Sequence, residues 1–209
     1  MSYNPLSSEE ILENICIAGR KHFLQYGFLK AEMKKIADDA HIYRSTLYRY
    51  FPKKENLAFL VVNQLLFELS AQSHAQVDRT RNGYEQMCQF VKAYQRILTE
   101  NPAYLRLFSD FDSTQAELAK QHLEESAQYA EDRVADIDSM AHYVKLGIED
   151  GSIRSDTQPV LFTLEVFNAM FGIAQRVIGN GDIFYQQHHI HGEELLNRTT
   201  ETLLQSIRQ

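Results

Sequence analysis

The 209-residue sequence predicts an all-α protein in two parts, a three-helix N-terminal unit over residues 8–54 and a longer helical bundle over residues 55–209. Three observations predict it. Helix breakers are scarce, with four Pro and nine Gly in the whole chain, and both disfavour helix interiors. Apolar residues recur at spacings of three and four through most of the chain, the period of a helix with one buried face. Charge is divided unevenly: residues 20–54 hold nine Lys and Arg against three Asp and Glu, a local net of +6, while residues 56–209 hold 12 against 21, a net of −9. A basic segment on an acidic chain is what binding to phosphate requires.

The first helix starts at a capping box, with Ser7 as N-cap and Glu10 three residues on, where each side chain satisfies the other residue's free backbone N–H. Ile15, Gly19 and Phe23 mark its buried face, and Gly27 stops it near Tyr26. Met33, Ile36, Ala37 and Ala40 give a short second helix one apolar stripe. A third short helix fits Tyr43 to Phe51. Leu47 and Phe51 point one way, while Arg44 with Tyr48 and Ser45 with Arg49 form rows on another face. Pro52 disfavours helical geometry at Phe51 and ends it. Residues 32–51 therefore read as a helix-turn-helix. Its outward face of Arg, Ser, Thr and Tyr has the chemistry that contacts base edges and phosphates, and Lys53 and Lys54 follow within reach of a backbone.

A fourth helix is expected from Lys54 to Gln76. Asn82-Gly83 marks a turn before a helix with Met87, Phe90, Val91, Tyr94, Ile97 and Leu98 on one side. Asn101-Pro102 starts the next, with Asn as N-cap and Pro at the first helical position, lined by Tyr104, Leu105, Phe108 and Phe111. From Thr114 to Asp150 the pattern stays helical, through Leu123, Ala127, Ala130, Val134, Ile137, Ala141, Val144 and Ile148, with a break expected in residues 119–133. Gly151 caps it. Pro159–Ile178 forms a further helix in which Ala169 and Gly172 permit close helix approach, and Gly179-Asn180-Gly181 ends it. The last helix, Glu193–Ile207, carries Leu196, Thr199, Leu203 and Ile207.

The segments IAGRKHFLQYGF, MKKIADDAHI and STLYRYFPKKENL resemble the N-terminal DNA-binding domain of the tetracycline-repressor (TetR) family over roughly residues 10–65. Phe23, Gly27-Phe28, Ile36-Ala37, Ala40, Thr46-Leu47-Tyr48, Tyr50-Phe51 and Lys54-Glu55 stand in the family's order and spacing. The resemblance implies that the helix from Arg44 to Phe51 enters the major groove. It implies that Tyr48 and Lys54 touch phosphates and that Arg44, Ser45 and Arg49 face bases or nearby phosphates. With these, Lys34, Tyr43, Thr46 and Lys53 complete the expected DNA-binding set. Three positions depart from the family pattern. His41 stands where Gly is usual, Tyr43 where Ser or Thr caps the recognition helix, and Ala31-Glu32 where Thr is usual. They imply an operator unlike that of better-matched relatives.

The resemblance also implies a C-terminal ligand-binding and dimerisation bundle. Its aromatics, Phe90, Tyr94, Phe108, Phe111, Tyr143, Phe162, Phe167 and Phe171, include candidates to line an effector cavity. The two C-terminal helices are expected to form a homodimer interface, so that two recognition helices read a palindromic operator in double-stranded DNA. A small-molecule effector would release the operator, which makes the protein a cytoplasmic repressor with no cofactor. Two other readings compete. One is a helical interaction protein with a weakened helix-turn-helix, favoured by Glu32, His41 and Tyr43. The other is an α-helical enzyme, disfavoured because no phosphate loop, nucleophile elbow or metal-protease pattern is present. His188, His189 and His191 lie in an expected loop without Cys or helical metal spacing, and Asp110, Asp112 and Glu117 read as a charged helix end, so neither group is taken as a metal or catalytic site. Cys16 and Cys88 read as core thiols of a reducing compartment. No signal peptide and no membrane span are expected, since Glu, Asn or Gln interrupts each apolar stretch.

Overall fold

The computed structural model describes residues 7–119, 124–179 and 183–209. Ten helices are present among them: α1 (Ser8–Lys30), α2 (Met33–Asp39), α3 (Arg44–Tyr50), α4 (Lys54–His74), α5 (Gly83–Glu100), α6 (Pro102–Ala119), α7 (Glu124–Glu149), α8 (Pro159–Gly179), α9 (Ile183–His188) and α10 (Gly192–Ser206). No strand occurs among the described residues; a single antiparallel bridge joins Ile153 to Arg208. The chain forms two compact units, Met1–Leu65 with Arg106–Ala130, and Leu66–Leu105 with Glu131–Gln209. Helices α4, α6 and α7 each contribute to both.

In the first unit, α1 begins at the expected capping box: the Glu10 N–H donates to Ser7 Oγ at 3.2 Å and the Ser7 N–H to Glu10 Oε2 at 2.7 Å. Ile15, Gly19 and Phe23 are buried. Gly27 leaves the helix at φ 79, ψ 164, a conformation open to a residue without Cβ, and Phe28–Lys30 form a short helical turn beyond it. α1 packs on α2 and α2 on α3. Met33, Ile36, Ala37 and Ala40 are buried as expected, as are Leu47 and Phe51. From the other stretch of this unit, Phe111 and Tyr129 meet Phe59, with ring centres 4.9 and 5.6 Å from it.

In the second unit, the Asn82 side chain caps α5 by accepting from the Glu85 N–H at 2.8 Å. Met87, Phe90, Val91, Tyr94 and Leu98 are buried. The start of α5 lies directly against α7: a Cβ on Gly83 would stand 2.0 Å from the Gly147 nitrogen. Asp150 Oδ2 accepts from the Gly83 N–H at 2.6 Å and Ser152 Oγ from the Tyr84 N–H at 3.0 Å, so the end of α7 caps the start of α5. α8 packs on α10.

The structure corrects several details. Asn101 does not cap α6 with its side chain; its amide donates back to the Ile97 carbonyl at 2.7 Å, closing the end of α5. In the first half of α7, Ala127, Ala130 and Val134 are exposed and Tyr129 is buried instead. A ring buries more apolar area than two alanines, so it sets the face of that half. In α10 the buried set is Leu196, Thr200, Leu204 and Ile207 rather than the one through Thr199 and Leu203. Thr200 tolerates burial because its hydroxyl donates to the Leu196 carbonyl at 2.9 Å. The segment Ile183–His188 is a short helix, not a loop. Cys16 and Cys88 are half-buried free thiols rather than core residues. Pro159–Val177 is, by length and composition, apolar enough to cross a membrane, which the interruptions by Glu, Asn and Gln do not prevent. Its Phe162, Val166, Met170, Ala174 and Val177 are buried in the second unit. The break expected within residues 119–133 and the stop at Asn180-Gly181 fall partly or wholly outside the described residues.

Candidate nucleic-acid interface

The geometry of α3 follows from two anchors and one polar face. Leu47 and Phe51 are buried against the unit's core, and this turns Arg44, Ser45, Tyr48 and Arg49 outward. The Arg44 guanidinium lies over the Tyr48 ring, 5.4 Å from its centre. Arg49 lies 5.6 Å from the centre of the Tyr50 ring. These cation–ring contacts restrict two otherwise flexible arginines on the exposed face. Thr46 is half-buried, and Tyr43 is 84% exposed at the entrance to the helix. Lys34 on α2 and Lys53 after α3 are exposed as well.

Each departure from the family pattern has a structural consequence. His41 adopts φ 56, a left-handed conformation that glycine enters freely and histidine enters at a cost. Tyr43 occupies the N-cap of α3 and makes no side-chain capping bond, so this seven-residue helix starts without the contact that Ser or Thr supplies. Glu32 occupies the N-cap of α2, also without a capping bond, and instead accepts from Lys35 Nζ at 2.6 Å. That ion pair holds the Glu32 carboxyl below its ordinary range.

Lys54 is placed differently from the other basic residues. Its Nζ donates to the Leu29 and Ala31 carbonyls at 3.1 and 3.3 Å and lies 4.7 Å from the centre of the Phe28 ring. It therefore closes the carbonyl end of α1, and burial pulls its ammonium below the ordinary lysine range. The pattern Lys53-Lys54 gives no hint of the difference between the two.

Sequence reasoning missed a clamp between α1 and α2. Asp39, the last residue of α2, accepts from Lys21 Nζ at 2.7 Å and lies 3.0 Å from His22 Nε2. These two bonds hold the Asp39 carboxyl below its ordinary value. A carboxylate can only accept, so the imidazole proton sits on Nε2. His22 is buried, its ring lies 5.6 Å from that of Tyr26, and its Nδ1 has no hydrogen-bond partner among the described residues. An unmet buried polar atom of this kind costs about 1–3 kcal/mol. The sequence signal was a His at helical spacing from Ile15, Ala18 and Gly19, on the buried face of α1.

The aromatics named as effector-lining candidates are divided between the two units. Phe90, Tyr94, Tyr143, Phe167 and Phe171 meet in the second unit, with centre-to-centre distances of 5.4 Å for Phe90–Tyr143, 4.9 Å for Tyr94–Phe167 and 6.0 Å for Tyr94–Phe171. Phe108 and Phe111 belong to the first unit, where Phe111 packs on Phe59 and Tyr129. Helical period could not separate them, because α6 contributes to both units. His74, unnoticed in the sequence, completes the second-unit cluster. Its ring lies 4.5 Å from Phe90, its Nδ1 is 2.6 Å from the Tyr143 hydroxyl and its Nε2 is 3.1 Å from Ser139 Oγ. Burial pulls the imidazole below its ordinary value and pushes the Tyr143 phenol up. Near α9, His191 stacks on Tyr185 at 4.4 Å and His189 meets the same ring edge-on. The His188 side chain lies outside the described residues.

Residues 15–61 match the family of bacterial regulatory proteins, tetR family. Residues 15–61 are a tetR-family domain. This tetR-family domain holds α2, α3 and the clamp between α1 and α2. No curated protein sequence matches the chain. Among solved structures the chain is similar to the fatty acid degradation regulator FadR from Bacillus halodurans, with a TM-score of 0.66 and 17% identity over 94% of this chain and 100% of that one. It is similar to the transcriptional regulator FadR from Bacillus subtilis in complex with stearoyl-CoA, with a TM-score of 0.64 and 18% identity over 94% and 100%. The ketosteroid transcriptional regulator KstR2 of Mycobacterium tuberculosis is similar too, with a TM-score of 0.61 and 18% identity over 98% and 97%. These likenesses show that the tetR-family domain is followed by a helical body of the same fold.

Proposed function

We propose that this tetR-family chain is a DNA-binding transcriptional repressor, a cytoplasmic homodimer that leaves a palindromic operator when a small molecule binds its helical body. One observation carries the DNA-binding reading: α3 buries Leu47 and turns Arg44, Ser45, Tyr48 and Arg49 outward together. Arg44, Ser45 and Arg49 read base edges, while Lys34, Tyr43, Thr46, Tyr48 and Lys53 meet phosphates. Lys54, turned to backbone carbonyls, holds the frame from which the others reach.

The dimer reading is supported by the outer face of α8. Leu161 and Leu164 are exposed there, Asn168 and Gly172 continue the same face, and nothing lies within 4 Å of a Cβ built on Gly172. Together with α10 this face suits a second copy, which would set two recognition helices about 34–36 Å apart on one side of the duplex. The effector reading is supported by the five-ring cluster around the polar group of His74, Tyr143 and Ser139, which suits an apolar molecule with one polar end. The solved relative in complex with stearoyl-CoA belongs to that chemical class. DNA and effector then weaken each other's binding by the same factor.

The test is fluorescence anisotropy of the full chain against duplex fragments from the region upstream of its own coding sequence, beside a scrambled duplex, at two salt concentrations. Tight, salt-sensitive binding to one fragment is expected. Equal and weak binding to all of them would replace this reading with the interaction-module reading, which the uncapped start of α3 favours.

A further inference from the structure

We propose that Asp39, gripped from α1 by Lys21 and His22, is the positioning residue that sets how the recognition helix meets DNA. The proposal rests on the DNA-binding reading above and assigns a role to residues that touch no DNA in it.

Leu47 and Phe51 fix which face of α3 is buried, but little at its start holds its direction. The helix has seven residues, buries Leu47 alone within its length, and has no side-chain cap at its start. Its direction therefore depends on the turn Ala40–Tyr43, in which His41 holds a left-handed φ of 56. A turn containing a residue in a sparsely favoured conformation persists only where its flanks over-determine it. The entrance to that turn is Asp39. Its carboxylate takes Lys21 Nζ at 2.7 Å and His22 Nε2 at 3.0 Å. Both donors come from α1, the helix anchored by Ile15 and Phe23 in the core.

His22 makes the strongest part of the case. It is buried, yet it uses one nitrogen on Asp39 and leaves the other unmet among the described residues. A leucine would fill the same space with no unmet nitrogen. Beyond its ring contact with Tyr26, what histidine adds over leucine is its bond to the end of α2. The grip also neutralises a carboxylate that would otherwise stand uncompensated beside the basic docking face.

The test uses the full chain. A duplex is first selected by the wild-type protein from a randomised duplex pool, and affinities for it and for a scrambled duplex are measured at one salt concentration for wild type, His22→Leu, Asp39→Ala and Asp39→Asn. Unfolding temperatures are measured alongside. Asp39→Ala and His22→Leu are expected to cut the selected-to-scrambled affinity ratio about tenfold, the loss of roughly one aligned base contact. Affinity for the scrambled duplex should stay within about twofold, since phosphate contacts tolerate small rotations. Asp39→Asn keeps an acceptor for both donors and should recover most of the ratio. His22→Leu should unfold at or near the wild-type temperature, so it carries the test if Asp39→Ala fails to fold. A wild-type ratio in folded His22→Leu, or equal losses on both duplexes, overturns the proposal. If the wild type selects no duplex, the DNA-binding reading falls and the proposal falls with it.

Discussion

The Lys54 ammonium stands 4.7 Å from the centre of the Phe28 ring and closes the Leu29 and Ala31 carbonyls at the end of α1. Lys54→Met keeps the aliphatic stem and removes these contacts, so it should destabilise the protein by about 1–2 kcal/mol. Lys53→Ala should lower the slope of log affinity against log salt by about 0.9. Urea unfolding and salt-dependent anisotropy on both variants check this. A lowered slope with unchanged stability in Lys54→Met would put Lys54 on a phosphate instead.

Arg49 is exposed on the outward face of α3 beside Tyr50. Arg49→Ala should cost about 1–3 kcal/mol on a selected duplex if the arginine meets a base edge, and should relax sequence preference at that base pair. Competition titrations with single-base variants of the duplex read the effect directly.

Gly83 and Gly172 make a contrasting pair. A Cβ on Gly83 would overlap the backbone of Gly147 at 2.0 Å, while one on Gly172 meets nothing within 4 Å. Gly83→Ala should destabilise the second unit at the upper end of about 1–3 kcal/mol, because backbone rather than a flexible side chain must move. Gly172→Ala should raise the stability of the isolated chain, by up to about 1 kcal/mol from helix propensity. It should also weaken a dimer formed through α8. Sedimentation at several concentrations separates that loss from the gain in the chain itself.

Asp39 should contribute to an acid limb of stability. Its folded-state pKa lies below the ordinary value because of the Lys21 and His22 bonds. A depressed carboxylate pKa stabilises the fold above the unfolded value of about 3.9 and loses that contribution as pH falls through the folded value. Stability should therefore drop below about pH 4. Asp39→Asn should flatten that limb in a series of thermal melts while leaving the shape of the curve at neutral pH unchanged.

His41 at φ 56 stands in the turn where glycine would be unstrained. His41→Gly should stabilise the tetR-family domain by about 1 kcal/mol, less the added entropy of the unfolded chain. A lower unfolding temperature for His41→Gly would show that the imidazole makes a contact that outweighs the strain.

The helix-turn-helix was legible because its signals are local. Leu47 and Phe51 are one turn apart, so a core face and a polar face follow from helical period alone, and Pro52 ends the helix by sterics. The capping box at Ser7 and Glu10, the turn at Asn82-Gly83 and the cap at Gly151 are local in the same sense. The positive φ at His41 agrees with the glycine that the family resemblance puts at this position.

Contacts between distant segments decided the rest. Lys53 and Lys54 are chemically alike, and only the position of the end of α1 turns one inward. Tyr129 displaced Ala127, Ala130 and Val134 from the buried face because Phe59 and Phe111 were there to receive its ring. Phe108 and Phe111 fall in the first unit and Phe90 and Tyr94 in the second, a division that helical period does not show. The clamp of Lys21 and His22 on Asp39 spans 17 and 18 residues, far beyond any helical period. The sequence by itself determined most of the helices, α9 excepted, and the outward chemistry of α3, since each depends on neighbours within a turn or two. Only the tertiary structure decided which charges are committed inside the protein and which face outward, because that depends on where remote carbonyls, rings and carboxylates come to rest.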